Sequence, residues 1–207
     1  MSWLSGSKII LLTATLGMIQ CVAKETRAQA DAPSATSTIR TTSSRDDAAA
    51  ALAFESLVSV LRHPRCINCH SQGDSPRQGD DSHPHTMNVR RGPDGEGTAG
   101  VKCSACHQDH NLPGLHVPPG APDWHSPSPD MPMIWEGLSD RQLCELFKDP
   151  KQNGGRTVDQ LVEHISTPLV LWGWNPGEGR DPVPMPQQDF LSHIKEWAAR
   201  GAACPDH

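Results

Sequence analysis

Residues 65–73 read RCINCHSQG and residues 102–110 read KCSACHQDH. In each, two cysteines stand two residues apart and a histidine follows the second at once: Cys66, Cys69 and His70, then Cys103, Cys106 and His107. A Cys-x-x-Cys pair alone serves zinc binding, thiol exchange or cofactor attachment. The adjacent histidine separates these uses. In c-type haem attachment both thiols add to vinyl groups of the macrocycle and the neighbouring imidazole reaches the iron from one face. The competing arrangement gathers Cys66, Cys69, Cys103 and Cys106 into a zinc knot and leaves both histidines incidental. Two copies of the full five-residue motif favour two covalently bound haem c groups, with His70 and His107 as proximal iron ligands.

The amino terminus agrees with that chemistry. Lys8, an apolar stretch from Ile9 to Ile19 and the small-x-small signal Ala28-Gln29-Ala30 form a secretory signal peptide over residues 1–30. Its apolar part is too short for a membrane span. Haem c attachment takes place outside the bacterial cytoplasm, so the expected location is the periplasm. Cys21 offers a lipoprotein alternative, the one route to a membrane, although Gln20 is a poor residue before such a site. The 207-residue chain carries a net charge of −6. Loss of Lys8, Lys24, Arg27 and Glu25 with the leader makes the remainder more acidic, which argues against nucleic acid. The sequence has no tyrosine and three phenylalanines against 19 prolines and 17 glycines. Such a chain buries little side-chain area of its own, and two haems would form part of its core.

Residues 31–45, DAPSATSTIRTTSSR, are Ser/Thr/Ala-rich without periodicity and read as a flexible linker. Order is expected from Asp46 or Asp47, with Phe54, Leu57, Val58 and Leu61 on one helical face and Pro64 ending the helix before Cys66. Residues 71–101 show no period and read as one long loop. Ser139 with Gln142 and Thr157 with Gln160 are capping boxes for two short helices. These helices bury Leu143, Leu146 and Phe147, then Val158, Leu161, Val162 and Ile165. A last helix from about Gln187 to Arg200 places Phe190, Leu191, Ile194 and Trp197 inward and stops at Gly201. Trp172 and Trp174 are apolar anchors, by plain packing or against a haem edge. The fold class is mainly α with extensive loops.

With these residues laid out, the chain resembles class I cytochromes c, in which a helix enters Cys-x-x-Cys-His and a Met-Pro turn precedes a closing helix. The resemblance implies a cytochrome c-like dihaem domain over residues 46–207. Its two haem units would share one core, the second, about 100–150, nested within the first. More narrowly, RHPRCINCHSQGD, HPHTMNVRRGPDG and LVLWGWNPGEGR resemble small exported dihaem cytochromes assigned as isoquinoline 1-oxidoreductase subunits. That likeness implies a redox protein partner, a periplasmic molybdenum hydroxylase passing electrons to the haems. The chain itself carries no molybdopterin or flavin motif.

The second axial ligands stay open at this point. Met185-Pro186 and Met131-Pro132-Met133 each offer a methionine sulfur on a stiff turn, Met185 for the first haem and Met133 or Met131 for the second. The rival is histidine, His85 from the long loop and His164 beside the apolar face of its helix; His83 and His85 are each a ligand or a plain loop residue. His63, just before the first motif, is expected to pack beside the haem. Cys144 and Cys204 remain after haem attachment and suggest a disulfide in an oxidising compartment. Electron transfer is the expected function, with no catalytic residues assigned. A dihaem peroxidase or a haem redox or gas sensor is the alternative; neither a distal Arg/His/Glu set nor a transmitter region is evident.

Overall fold

A computed structural model describes residues 39–207, which belong to one compact unit running from Thr36 to His207. The signal peptide, Cys21 and residues 31–38 of the linker lie outside the described residues. Among the described residues six α-helices and two very short hairpins follow in order, with three 3-10 turns besides: α1 Ile39–Leu61, α2 Pro64–Ile67, β1 Arg77–Gln78, β2 His83–Pro84, β3 Gly97–Thr98, β4 Val101–Lys102, α3 Asp140–Lys148, α4 Val158–His164, α5 Pro168–Leu171 and α6 Gln187–Ala199. The chain is mainly helical, with long irregular connections. No described helix is long and apolar enough to cross a membrane.

The core grows from the apolar stripe of α1. Phe54, Leu57, Val58 and Leu61 are buried with Ala50, Ala53 and Val60, and α1 packs chiefly on α6 and also on α3. From α6 come Phe190, Ile194 and Trp197 at helical spacing, while Leu191, expected inward, is only partly buried. Phe54 holds the centre, 5.3 Å from the Trp197 ring and 5.9 Å from the Phe147 ring. Both capping boxes form, Ser139 with Gln142 starting α3 and Thr157 with Gln160 starting α4. On α4, Leu161 is buried and Ile165 follows it inward, whereas Val158 and Val162 pack at the margin. Gly201 takes φ +94°, the left-handed stop expected after α6.

Three features depart from the local reading. Helix α1 is already running at Ile39, so it begins within the stretch read as linker rather than at Asp46 or Asp47. Pro64 does more than end a helix: it opens α2, whose N-cap is His63, with the His63 ring Nδ1 accepting from the Arg65 N–H at 3.3 Å. The loop 71–101 contains two antiparallel hairpins, β1 with β2 and β3 with β4, each strand too short for a sequence period.

No residue between 71 and 132 belongs to the hydrophobic core cluster, which is built from α1, α3, α4 and α6. Helix α3 therefore closes the same core as α1. The core is tied across by a Cys144–Cys204 disulfide, S–S 2.04 Å and Cα–Cα 5.6 Å, joining buried α3 to the carboxyl-terminal tail.

Candidate functional site

Each Cys-x-x-Cys-His motif forms one helical turn. His70 N–H and Cys69 N–H donate to Cys66 C=O, at 3.3 and 3.2 Å, and His107 N–H and Cys106 N–H donate to Cys103 C=O, at 2.9 and 3.1 Å. Residues i, i+3 and i+4 of such a turn share a face, so two thiols and one imidazole are presented together.

Both histidines are held the same way by distant, proline-rich segments. His70 Nδ1–H donates to Met133 C=O at 2.9 Å, and the ring lies flat on Trp135, centroids 3.6 Å apart and planes 2° from parallel. Trp135 N–H donates back to His70 C=O at 2.9 Å. His107 Nδ1–H donates to Pro119 C=O at 2.7 Å, and its ring lies on Trp124, at 4.3 Å and 6°. A backbone carbonyl on Nδ1 fixes the proton there and leaves the Nε2 lone pair to bind a metal. Burial holds the His70 pKa down at about 3, and burial also lowers His107. Both rings are neutral at ordinary pH, the form that ligates.

The first motif opens on a cavity of about 420 Å³, lined by Cys66, Cys69, His70, Trp135, Trp172 and His164 among others. Apolar walls come from α1, α4, α5 and the tryptophans. Burial pushes the Cys66 thiol up to about 12 and raises Cys69 as well. Exchange and metal-binding cysteines need the opposite shift, toward thiolate. Among the described residues no three His, Cys, Asp or Glu side chains are grouped to hold a metal ion, the four motif cysteines included. Cys66 and Cys69 line the cavity, whereas Cys106 is exposed.

Two polar groups at this cavity were not singled out in the sequence. Arg65 is buried beside Cys66, pairs with Asp80 and lies 5.6 Å from the Trp172 ring centre, yet its Nε has no hydrogen-bond partner. Trp135 Nε1 is also buried without a partner. Orphaned donors of this kind call for an acceptor, and the carboxylates of a macrocycle would supply one. Vinyl-reactive thiols, a free imidazole nitrogen, apolar walls and unpaired donors fit haem c at the first motif. Lined up the same way, Cys103, Cys106 and His107 fit it at the second, in a more open setting.

The methionine turns fall differently from their expected pairing. Met131 and Met133 line the cavity of the first motif, not the second. The Met133 carbonyl meets the Nδ1 side of His70, away from the nitrogen that would bind iron. Met185 does not line the cavity; it packs against the core, and its carbonyl accepts from Trp174 Nε1–H at 2.8 Å. His164 does line the cavity, at the end of α4, while His85 lies beside His107, with ring centres 6.2 Å apart.

Long-range polar contacts hold the irregular segments in place. Arg91, 2% exposed, donates to Cys69 C=O, Ser71 C=O and Gly73 C=O at 2.7, 2.8 and 3.2 Å, fastening the chain just after the first motif. Asn111 Oδ1 accepts from Gly120 N–H and Trp172 Nε1–H, and its Nδ2–H donates to Asn175 C=O. The WGWNPGEGR stretch thereby clamps the loop that carries Pro119. Arginine and asparagine inside a Gly/Pro/Asp-rich loop give no sequence signal for such roles. In comparison with known proteins, the chain matches no family model, no curated protein and no solved structure.

Proposed function

We propose that this chain is an exported dihaem c-type cytochrome that carries electrons, with one haem on Cys66, Cys69 and His70 and the other on Cys103, Cys106 and His107. The observation that carries the reading is the duplicated arrangement. Each motif histidine gives its Nδ1 proton to a carbonyl of a proline-rich segment, lies flat on a tryptophan and keeps Nε2 for a metal. Nothing in thiol exchange requires that pairing.

Bound haem would supply a reversible one-electron couple at each iron. The chain's own work is to fix the imidazoles, exclude water from the first cavity and set the electrostatic surroundings. Trp124 stacks on His107 and also lines the first cavity, and its edge meets Trp172 at 4.9 Å. That places one indole between the two sites, a short aromatic route for an electron. The Cys144–Cys204 disulfide supports an oxidising compartment, and the leader sequence supports export to the periplasm.

The partner in this reading is another redox protein, and a molybdenum hydroxylase is the proposed donor on the strength of the sequence resemblance. Expression with a c-type maturation system tests the core of the proposal. Two haems per chain, resistant to acid-acetone extraction, are expected, with low-spin spectra unchanged by peroxide. A chain that matures without covalent haem refutes it, and peroxide turnover would move the assignment to a peroxidase. Reduction of the oxidised protein by such a hydroxylase and its substrate, slowing as salt rises, tests the partner. Failure at every ionic strength removes it.

A further inference from the structure

The loop between the two motifs brings up two histidines, His83 and His85, and treats them differently. His83 has both ring nitrogens engaged: Nδ1 with Asp81 Oδ1 at 2.6 Å and Nε2 with Gln78 Nε2 at 2.9 Å. His85 uses only Nδ1, which donates to Thr86 C=O at 2.8 Å. Its Nε2 has no hydrogen-bond partner among the described residues, the same state as Nε2 of His107. Both rings are half-buried.

His85 is also held in position. Its N–H donates to Pro76 C=O at 3.1 Å. Thr86 is braced through N–H and Oγ1 by Gln78 Oε1 at 3.2 and 3.3 Å, and Gln78 belongs to the β1–β2 hairpin. The hairpin thus holds His85 beside His107 of the second motif.

The ring centres of His85 and His107 stand 6.2 Å apart, with planes at 62°. Two metal–nitrogen bonds in line, about 2 Å each, plus about 1 Å from each nitrogen to its ring centre, span about 6 Å. The interplanar angle is no obstacle, since each axial ring turns freely about its own metal bond. The geometry points to His85 as the second axial ligand of the haem iron held by His107, a bis-histidine centre in which His83 takes no part. This inference rests on the haem reading above. It also assigns a purpose to the hairpin loop: it is a ligand-bearing arm for the second site, while Met131 and His164 line the first cavity.

The test uses the haem-loaded protein. Haem count by mass spectrometry checks the underlying reading separately: fewer than two haems in the wild type overturns that reading, and this one with it. Given two haems, the ferric wild type should show a bis-imidazole signature for at least one iron in low-temperature electron paramagnetic resonance and near-infrared magnetic circular dichroism. His85→Gly should turn one of the two irons high-spin, and added imidazole should return it to low spin. His83→Gly should leave both spectra as in the wild type. His85→Met should convert the same iron to a histidine–methionine signature. Two haems with no bis-imidazole iron in the wild type, or two low-spin irons in His85→Gly without added imidazole, would overturn the assignment. If His85→Gly does not mature, the wild-type spectra and His85→Met decide alone.

Discussion

Replacing both Cys144 and Cys204 by alanine should destabilise the protein by about 4 kcal/mol, most of it through the unfolded chain. The bridge closes a loop with a sequence separation of 60, and chain-entropy arithmetic for that length gives about 4.3 kcal/mol at room temperature. Neither Cys-x-x-Cys-His motif lies inside the loop, so the proposed thioether attachment would leave this closure to the disulfide alone. The folded tail keeps other fastenings: Trp197 Nε1–H donates to Ala203 C=O at 3.0 Å, and Arg141 N–H to His207 C=O at 2.6 Å. The double variant should therefore fold and bind haem, with a thermal midpoint lowered by about 10 °C. Guanidinium unfolding followed by far-ultraviolet circular dichroism and by haem absorbance gives the free energy directly. A loss below about 1 kcal/mol, with the bridge proven in the wild type, would mean that the unfolded chain is already constrained there, and the loop argument would fail.

Other perturbations probe the supports of the two sites. Asn153→Ala removes a fully buried amide that donates to Phe147 C=O and Arg156 C=O and accepts from Arg156 N–H, each at 2.8 Å. It should cost about 2–4 kcal/mol in denaturant unfolding. Gly120→Ala would bring a methyl group to 2.1 Å from His110 C=O. The displaced Pro119 carbonyl should loosen His107 and change the spectrum of the second haem only. Arg65→Met removes a buried cation beside Cys66 and leaves Asp80 without its partner. Both changes favour ferric iron, so the potential of the first haem should fall in a spectroelectrochemical titration while the second stays within error.

Local pattern made much of the frame legible. The apolar stripe of α1, the two capping boxes and the Gly201 stop are short-range signals, and each depends on residues within one or two turns. The two Cys-x-x-Cys-His motifs are equally local. What the pattern could not carry is closure between distant segments: His70 on Met133, His107 on Trp124, and Arg91 on Cys69. A single tryptophan in IWEG or PDWH looks like any core residue, because its partner is set by how the proline-rich loops return. The choice among methionines and histidines stayed open in the sequence for the same reason. Met185-Pro186 and Met131-Pro132-Met133 are alike in sequence, yet one packs into the core and the other borders the cavity beside His70. Helix α1 ran past its expected start because a Ser/Thr-rich stretch has only weak preferences, which continuation of a helix overrides.

The two sites also differ in surroundings, and that difference predicts how electrons distribute in the proposed holoprotein. The first motif faces a mostly apolar cavity in which a neutral thiol and a neutral imidazole are strongly favoured. The second sits in a loop with Cys106 exposed and His107 half-buried. Low polarity disfavours the extra positive charge of ferric iron, so burial raises the potential of the first haem, and water access lowers that of the second. Bis-histidine ligation at His85 and His107 would act in the same direction where Met131 serves the first iron, since a second imidazole favours ferric iron more than a methionine sulfur does. An electron arriving at the exposed second haem would then pass inward by way of Trp124 to the first. A potentiometric titration should resolve two one-electron waves. Loss of haem in a Cys103→Ser, Cys106→Ser variant should abolish the lower wave and keep the higher one. Loss of the higher wave instead would place the strong oxidant at the exposed site and reverse the direction of transfer argued from burial.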